Sequence, residues 1–175
     1  MSCGMTTLFP PELLDDARAL LAEFERQRRK LATAESCTGG LLAGLLTEIA
    51  GSSAVFERGF VTYSDSAKTE LIGAPAALIG RHGAVSEEVA RAMAEGALAR
   101  APVDVAVSVT GIAGPEGGSA EKPVGLVYIV AAPRGRPTVA REFRFGSIGR
   151  TAIRLASVKA AVDLAREAVS AAGRH

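Results

Sequence analysis

The chain has no tryptophan, only two cysteines and two histidines, and an aromatic content of 5%. Each scarcity removes a class of explanation. Cys3 and Cys37 make neither a disulfide framework nor a zinc pattern, which fits a cytoplasmic protein with reduced thiols. His82 and His175 stand far apart, so a histidine-based triad is not expected. No apolar run reaches the roughly 18 residues a transmembrane helix needs. Met1–Thr7 lacks the basic and apolar regions of a signal peptide. A formal net charge of +1 gives no reason to expect nucleic acid, an acidic partner or a membrane surface. Neither a Walker loop nor a dinucleotide fingerprint is present.

What remains is a chain of 175 residues, enough for one domain with a core. Residues 1–8 read as a tail and 9–175 as a single domain without linker or repeat. Pro10-Pro11-Glu12 opens a helix whose stripe is Leu13, Ala17, Leu20 and Phe24. A strand from Leu31 runs into Glu35-Ser36-Cys37-Thr38-Gly39-Gly40, followed by a helix ending near Gly51. Val55–Tyr63 reads as a strand and Ala67–Ile72 as a short helix. Gly73–Gly83 reads as a loop with one helical turn, and Ser86 starts the next helix. The valine-rich Val103–Val109 reads as a buried strand, and Thr110–Pro123 as a long loop. Val124–Ala132 and Thr138–Phe145 pair as a hairpin, and a last helix starts near Arg150. Strands alternating with helices and a closing hairpin predict an α/β fold. Its sheet is mixed, mostly parallel, ends in a C-terminal antiparallel hairpin, and carries helices on both faces. Alanine-rich faces, as on the last helix, are compatible with a homo-oligomer.

Four clusters carry candidate chemistry. At Glu35–Gly40 a hydroxyl and two glycines meet a helix start. The turn reads equally as a capping turn and as a nucleophile with backbone N–H groups forming an oxyanion hole or an anion cradle. Cys37, at the same helix N-terminus, is a rival nucleophile with an expected low pKa. At Thr62–Lys68, a lysine sits early in a helix. Taken alone, a solvated lysine near Asp65 is the better reading. A neutral, buried Lys68 would instead accept a proton from a serine, with Tyr63 assisting. The Thr110–Pro123 loop, with Gly111, Gly114, Gly117 and Gly118, lies at a strand end where ligands often bind. Arg150, with Arg154 one turn on, suits a phosphate or carboxylate as well as solvent, and Lys122 shares that ambiguity.

Five motifs together resemble the CinA C-terminal domain family: Ala34-Glu35-Ser36-Cys37-Thr38-Gly39-Gly40, Gly59-Phe60-Val61-Thr62-Tyr63-Ser64 with Lys68 five residues after the tyrosine, Gly83-Ala84-Val85-Ser86, Thr110-Gly111-Ile112-Ala113-Gly114-Pro115, and Lys122-Pro123-Val124-Gly125. The resemblance runs from about Pro11 to Ala171. It implies a three-layer α/β/α sandwich and hydrolysis of the carboxamide of nicotinamide mononucleotide to nicotinate mononucleotide and ammonia, a step in pyridine nucleotide recycling. Some members carry an extra N-terminal domain; this chain is too short for it and resembles the stand-alone form. The implied mechanism has Ser36 as nucleophile, Lys68 as base and Tyr63 in support, with no metal or cofactor. Cys37, Thr38, Gly39, Gly40, Thr110, Gly111, Gly114, Gly117 and Arg150 are expected around a small-molecule nucleotide substrate. The family's aspartate shortly before the arginine is absent from Phe145-Gly146-Ser147-Ile148-Gly149-Arg150. A non-catalytic nucleotide-binding domain, an amidase on another nucleotide, and a Cys37 thiol enzyme are the alternatives.

Overall fold

The computed structural model describes residues 7–171. Cys3, His175 and most of the expected tail lie outside them. Five strands form one sheet in the order β2-β1-β3-β4-β5: β1 Leu31–Glu35, β2 Phe56–Val61, β3 Val105–Gly111, β4 Leu126–Pro133 and β5 Val139–Arg144. The first three strands run parallel; β4 and β5 pair antiparallel. The sheet is therefore mixed, with a parallel half that gathers three strand C-termini at one edge. No helix among the described residues is long and apolar enough to cross a membrane.

Helices cover both faces. On one lie α1 (Pro11–Arg26), α2 (Leu41–Thr47) and α6 (Arg150–Ser170). There Leu13, Ala17, Leu20, Phe24, Leu45, Ile153, Val158 and Val162 pack on Val105, Val107, Val109, Val127 and Ile129. On the other lie α3 (Asp65–Ile72), α4 (Ala76–His82) and α5 (Glu87–Arg100), where Ile72, Ile79, Val89 and Met93 pack on Ala34 and Ala106. Successive strand residues alternate between these two cores, as the pleat requires. β1 and most of β3 are buried throughout, whereas β2 and β5, at the sheet edges, are largely exposed or half-buried.

Two segments differ from the sequence reading. The expected loop at Gly73–Gly83 contains the full helix α4. Pro75 pre-sets the entry dihedral, Gly83 ends the helix at φ 77°, and Ile79 is buried against α5. The helix after Gly40 stops at Thr47, and a 3₁₀ turn at Ser52–Ala54 leads into β2. The long loop also starts later than expected, because β3 continues through Gly111. A Cβ at Gly111 would press on Val127 and on the Leu126 carbonyl, so only glycine lets β3 and β4 stay paired there.

The contact between α3 and α5 is equally tight. A Cβ on Gly96 would overlap the Ile72 carbonyl oxygen, whereas one on Gly80 would meet nothing. Gly96→Ala is expected to lower the urea unfolding free energy by about 2 kcal/mol or more. Gly80→Ala, an exposed interior position of α4, should raise it by roughly 0.5–1 kcal/mol.

Candidate functional site at the parallel edge of the sheet

The turn after β1 is built around a buried carboxylate. Glu35, 1% exposed, turns its side chain toward α2. It accepts hydrogen bonds from the backbone N–H groups of Gly40 (3.1 Å), Leu42 (3.0 Å) and Ala43 (2.9 Å). A helix start leaves such donors without intrahelical partners and favours negative charge. The chain supplies that charge itself. The anion cradle expected at this helix start is thus already filled, and the Gly40 N–H is not available to a substrate.

Ser36 follows directly. Its N–H donates to Val109 O (2.9 Å), and its carbonyl accepts from Gly39 N–H (3.0 Å). The Thr62 N–H donates to Glu35 O (2.8 Å), so Ser36 lies between the ends of β2 and β3. One step beyond the pairs Glu35–Val61 and Glu35–Val109, Thr62, Ser36 and Thr110 stand next in register. Ser36 retains 8% exposure, while Thr38 and Thr62 are fully buried. Neither threonine Oγ1 has a hydrogen-bond partner among the described residues. Thr110 Oγ1 donates instead to Ala84 O (2.8 Å).

Lys68 is fully buried near the start of α3, which Ser64 caps by accepting from Ala67 N–H. Helical side chains lean toward the N-terminus, and Nζ accordingly reaches back to donate to Tyr63 O at 3.1 Å. Asp65 Oδ1 stands 3.8 Å away and is itself exposed. Burial lowers the Lys68 pKa from the ordinary lysine value of 10.5, with Asp65 opposing. No hydrogen bond joins Ser36 Oγ to Lys68 Nζ among the described residues. The expected direct contact is replaced by the one to Tyr63 O. Tyr63 meets the lysine through its backbone, while its ring is 62% exposed.

Cys37 corrects the electrostatic expectation. Its thiol is pushed up to about 11, chiefly by burial and further by the Glu35 charge. Its own backbone hydrogen bond and the charges of Arg154 and Arg150 act the other way without prevailing. A helix N-terminus lowers a thiol pKa only if its field is free, and Glu35 sits in it. The thiolate population at neutral pH is therefore small.

The first two turns of α6 brace the loops. Arg150 donates to Gly114 O (2.7 Å), holding the β3–β4 loop, and Arg154 donates to Cys37 O (3.1 Å) and Thr38 O (3.0 Å). Among the described residues, Arg150 thus grips protein backbone. Lys122 likewise donates to His82 O (2.6 Å). Gly117 lines an open cleft of about 660 Å³ with Arg144 and Ser147, to which neither Ser36 nor Lys68 contributes. Glu35 and Arg154 stood within two of the candidate clusters, but the sequence reading gave neither of them its contacts here. The Glu35 signal was available, as an acidic residue just ahead of a helix start; the Arg154 contact spans 117 residues and left none.

Glu35→Ala would strand three amides, and we expect a loss of about 3 kcal/mol or more in urea unfolding. In a Cys3→Ser background, native Cys37 should react with iodoacetamide at pH 7.5 at least about a hundredfold more slowly than an exposed thiol. Rapid native alkylation would contradict the assigned thiol environment.

The comparisons with known proteins agree with this architecture. The CinA C-terminal domain family matches residues 15–169. A CinA-like protein of Mycolicibacterium vanbaalenii is 54% identical over 145 residues, covering 83% of this chain and 34% of that one. A CinA-like protein of Geobacter sulfurreducens is 50% identical over 153 residues, covering 87% and 36%. The chain spans about a third of the length of these curated relatives. The crystal structure of the competence/damage inducible protein CihA from Agrobacterium tumefaciens superposes with a TM-score of 0.89 at 51% identity, covering 91% of this chain and 96% of that one. A CinA superfamily protein from Escherichia coli gives 0.83 at 31% identity, covering 90% and 92%. The chain therefore belongs to the CinA C-terminal domain family.

Proposed function

We propose that the domain hydrolyses the carboxamide of nicotinamide mononucleotide to nicotinate mononucleotide and ammonia, with Ser36 as nucleophile and Lys68 as general base. The observation that carries the reading is the burial of Lys68: a lysine with no exposed amine and a lowered pKa has a larger neutral fraction at any given pH than a surface one. A neutral amine is what a serine needs when no histidine is at hand.

In the proposed cycle Lys68 Nζ exchanges its Tyr63 carbonyl for the Ser36 hydroxyl once substrate is bound, since catalytic hydrogen bonds often tighten only in the complex. Ser36 Oγ bonds to the carboxamide carbon as its proton passes to Lys68. Lys68 then protonates the departing nitrogen, ammonia leaves, and an ester to Ser36 remains. Water attacks that ester; its proton goes to Lys68 and from there to Ser36 Oγ as the carboxylate leaves. The N–H of Thr38, which has no backbone acceptor among the described residues, and that of Cys37, which faces only its own thiol, suit the oxyanion of both steps. The β3–β4 loop, braced by Arg150, would carry the ribose phosphate.

A Cys37 thiol mechanism is disfavoured by the raised thiol pKa. A nucleotide-binding domain without chemistry gives no role to a buried amine beside the serine turn, and ammonia release separates it from the amidase.

Purified protein should release ammonia from nicotinamide mononucleotide. Ser36→Ala and Lys68→Met should each reduce kcat at least about a thousandfold, whereas Cys37→Ala should keep it within about tenfold. The neutral fraction of Lys68 grows as pH rises through its folded pKa. The acidic limb of kcat/KM should thus have its midpoint below 10.5 and disappear in the residual rate of Lys68→Met. Protonating Lys68 opposes folding below that folded pKa, and the burden is relieved between it and the unfolded value. Lys68→Met should accordingly raise Tm most below the folded pKa and progressively less toward pH 10.5. Full amidase activity in Ser36→Ala would overturn the nucleophile assignment.

A further inference from the structure

The peptide units of the turn after β1 are held in different ways. Ser36 O accepts from Gly39 N–H, so the unit joining Ser36 to Cys37 is fixed and with it the direction of Cys37 N–H. Thr38 O accepts from Leu41 N–H (3.0 Å) as well as from Arg154 Nη2. Gly40 N–H rests on the Glu35 carboxylate. The unit joining Cys37 to Thr38 has one hydrogen bond among the described residues: Cys37 O accepts from Arg154 Nε.

In a trans peptide unit the C=O and N–H point in opposite directions, and the only cis bond recorded among the described residues is Gly114-Pro115. Holding Cys37 O therefore aims Thr38 N–H away from Arg154. A positive charge at the carbonyl end also polarises the unit and makes its N–H a stronger donor. Gly39 borders the guanidinium, but a Cβ there would only touch Arg154 Nη2, at 3.4 Å; glycine serves the left-handed φ of 57°.

We propose that Arg154 is a positioning residue that fixes and polarises the Thr38 N–H as a donor to the oxyanion formed at Ser36. The proposal rests on the reading of Ser36 as nucleophile. When Ser36 Oγ bonds to the carboxamide carbon, the carbonyl π pair moves onto oxygen. Thr38 N–H, beside the Cys37 N–H, then meets that charge without reorienting. Arg154 touches neither substrate nor nucleophile. Packing of α6 rests on Ile153, Val158, Ala161 and Val162, so the helix stays docked without the guanidinium.

Steady-state kinetics on nicotinamide mononucleotide with Arg154→Ala and Arg154→Lys test this. Loss of one oriented donor should lower kcat about a hundredfold with KM changed less than about threefold. Guanidinium ion should restore part of the Arg154→Ala rate and leave the wild-type rate unchanged. The ammonium of Arg154→Lys can hold one carbonyl and should give an intermediate kcat. Phosphonylation of Ser36 by a fluorophosphonate, which passes through a similar charged oxygen, should slow in the same order. Should Arg154→Ala fail to fold, Arg154→Lys carries the same comparison. A kcat within about threefold of wild type, a KM rise at unchanged kcat, or no rescue by guanidinium would overturn the positioning role. Wild-type protein that neither releases ammonia nor labels at Ser36 would instead sink the amidase reading on which it rests.

Discussion

The buried Glu35 carboxylate on the first amides of α2 is the contact on which the rest of the site depends. A carboxylate removed from water is tolerated only where donors surround it, and three backbone N–H groups do so. Those bonds fold the chain back at Gly39 and Gly40, both in the left-handed region. Ser36 is thereby left at the lip of the sheet with partial exposure. The same charge raises the neighbouring thiol. One interaction therefore shapes the turn, occupies the helix dipole and disfavours sulfur chemistry.

The second organising element is distant in sequence. The N-terminal turns of α6 hold both loops that border Ser36, one through Arg150 and one through Arg154. Across the sheet, Lys122 ties the β3–β4 loop to the end of α4, and Thr110 ties the end of β3 to the chain between α4 and α5. The parallel half of the sheet makes this convergence possible, because the C-termini of β1, β2 and β3 emerge at a common edge. The antiparallel return of β4 then obliges the long loop to cross that edge. The site is consequently a junction of segments from nearly the whole chain, held by side chain to backbone bonds.

How much of this could be read beforehand depended on range. Leu13, Ala17, Leu20 and Phe24 declared α1 through a period of 3.6, and the valines at 105, 107 and 109 declared β3. A lysine early in the helix after β2 was equally visible. What failed was competition for shared groups. The free amides of α2 were legible, but their capture by Glu35 depends on a side chain folding back over its own turn. The Cys37 shift followed the same error, because the helix field was counted and burial was not. The helix α4 was hidden by glycine and proline, which here mark its two ends and not a loop. The guanidinium contacts of Arg150 and Arg154 required knowing that α6 docks beside α2, which no local pattern states.

Arg150 and Arg154 of α6 stand four residues apart and therefore on one side of the helix. Each residue of an α-helix turns by about 100°. One residue inserted between Arg150 and Arg154 would swing one guanidinium off its carbonyl contacts while the other stayed put. Length changes in the preceding Gly146–Gly149 segment, whose glycines at both ends take positive φ, can be absorbed by bending. Along a lineage of such domains, insertions and deletions should therefore collect just before Arg150 and be purged just after it, a pattern of tolerance set by rotational phase and not by exposure.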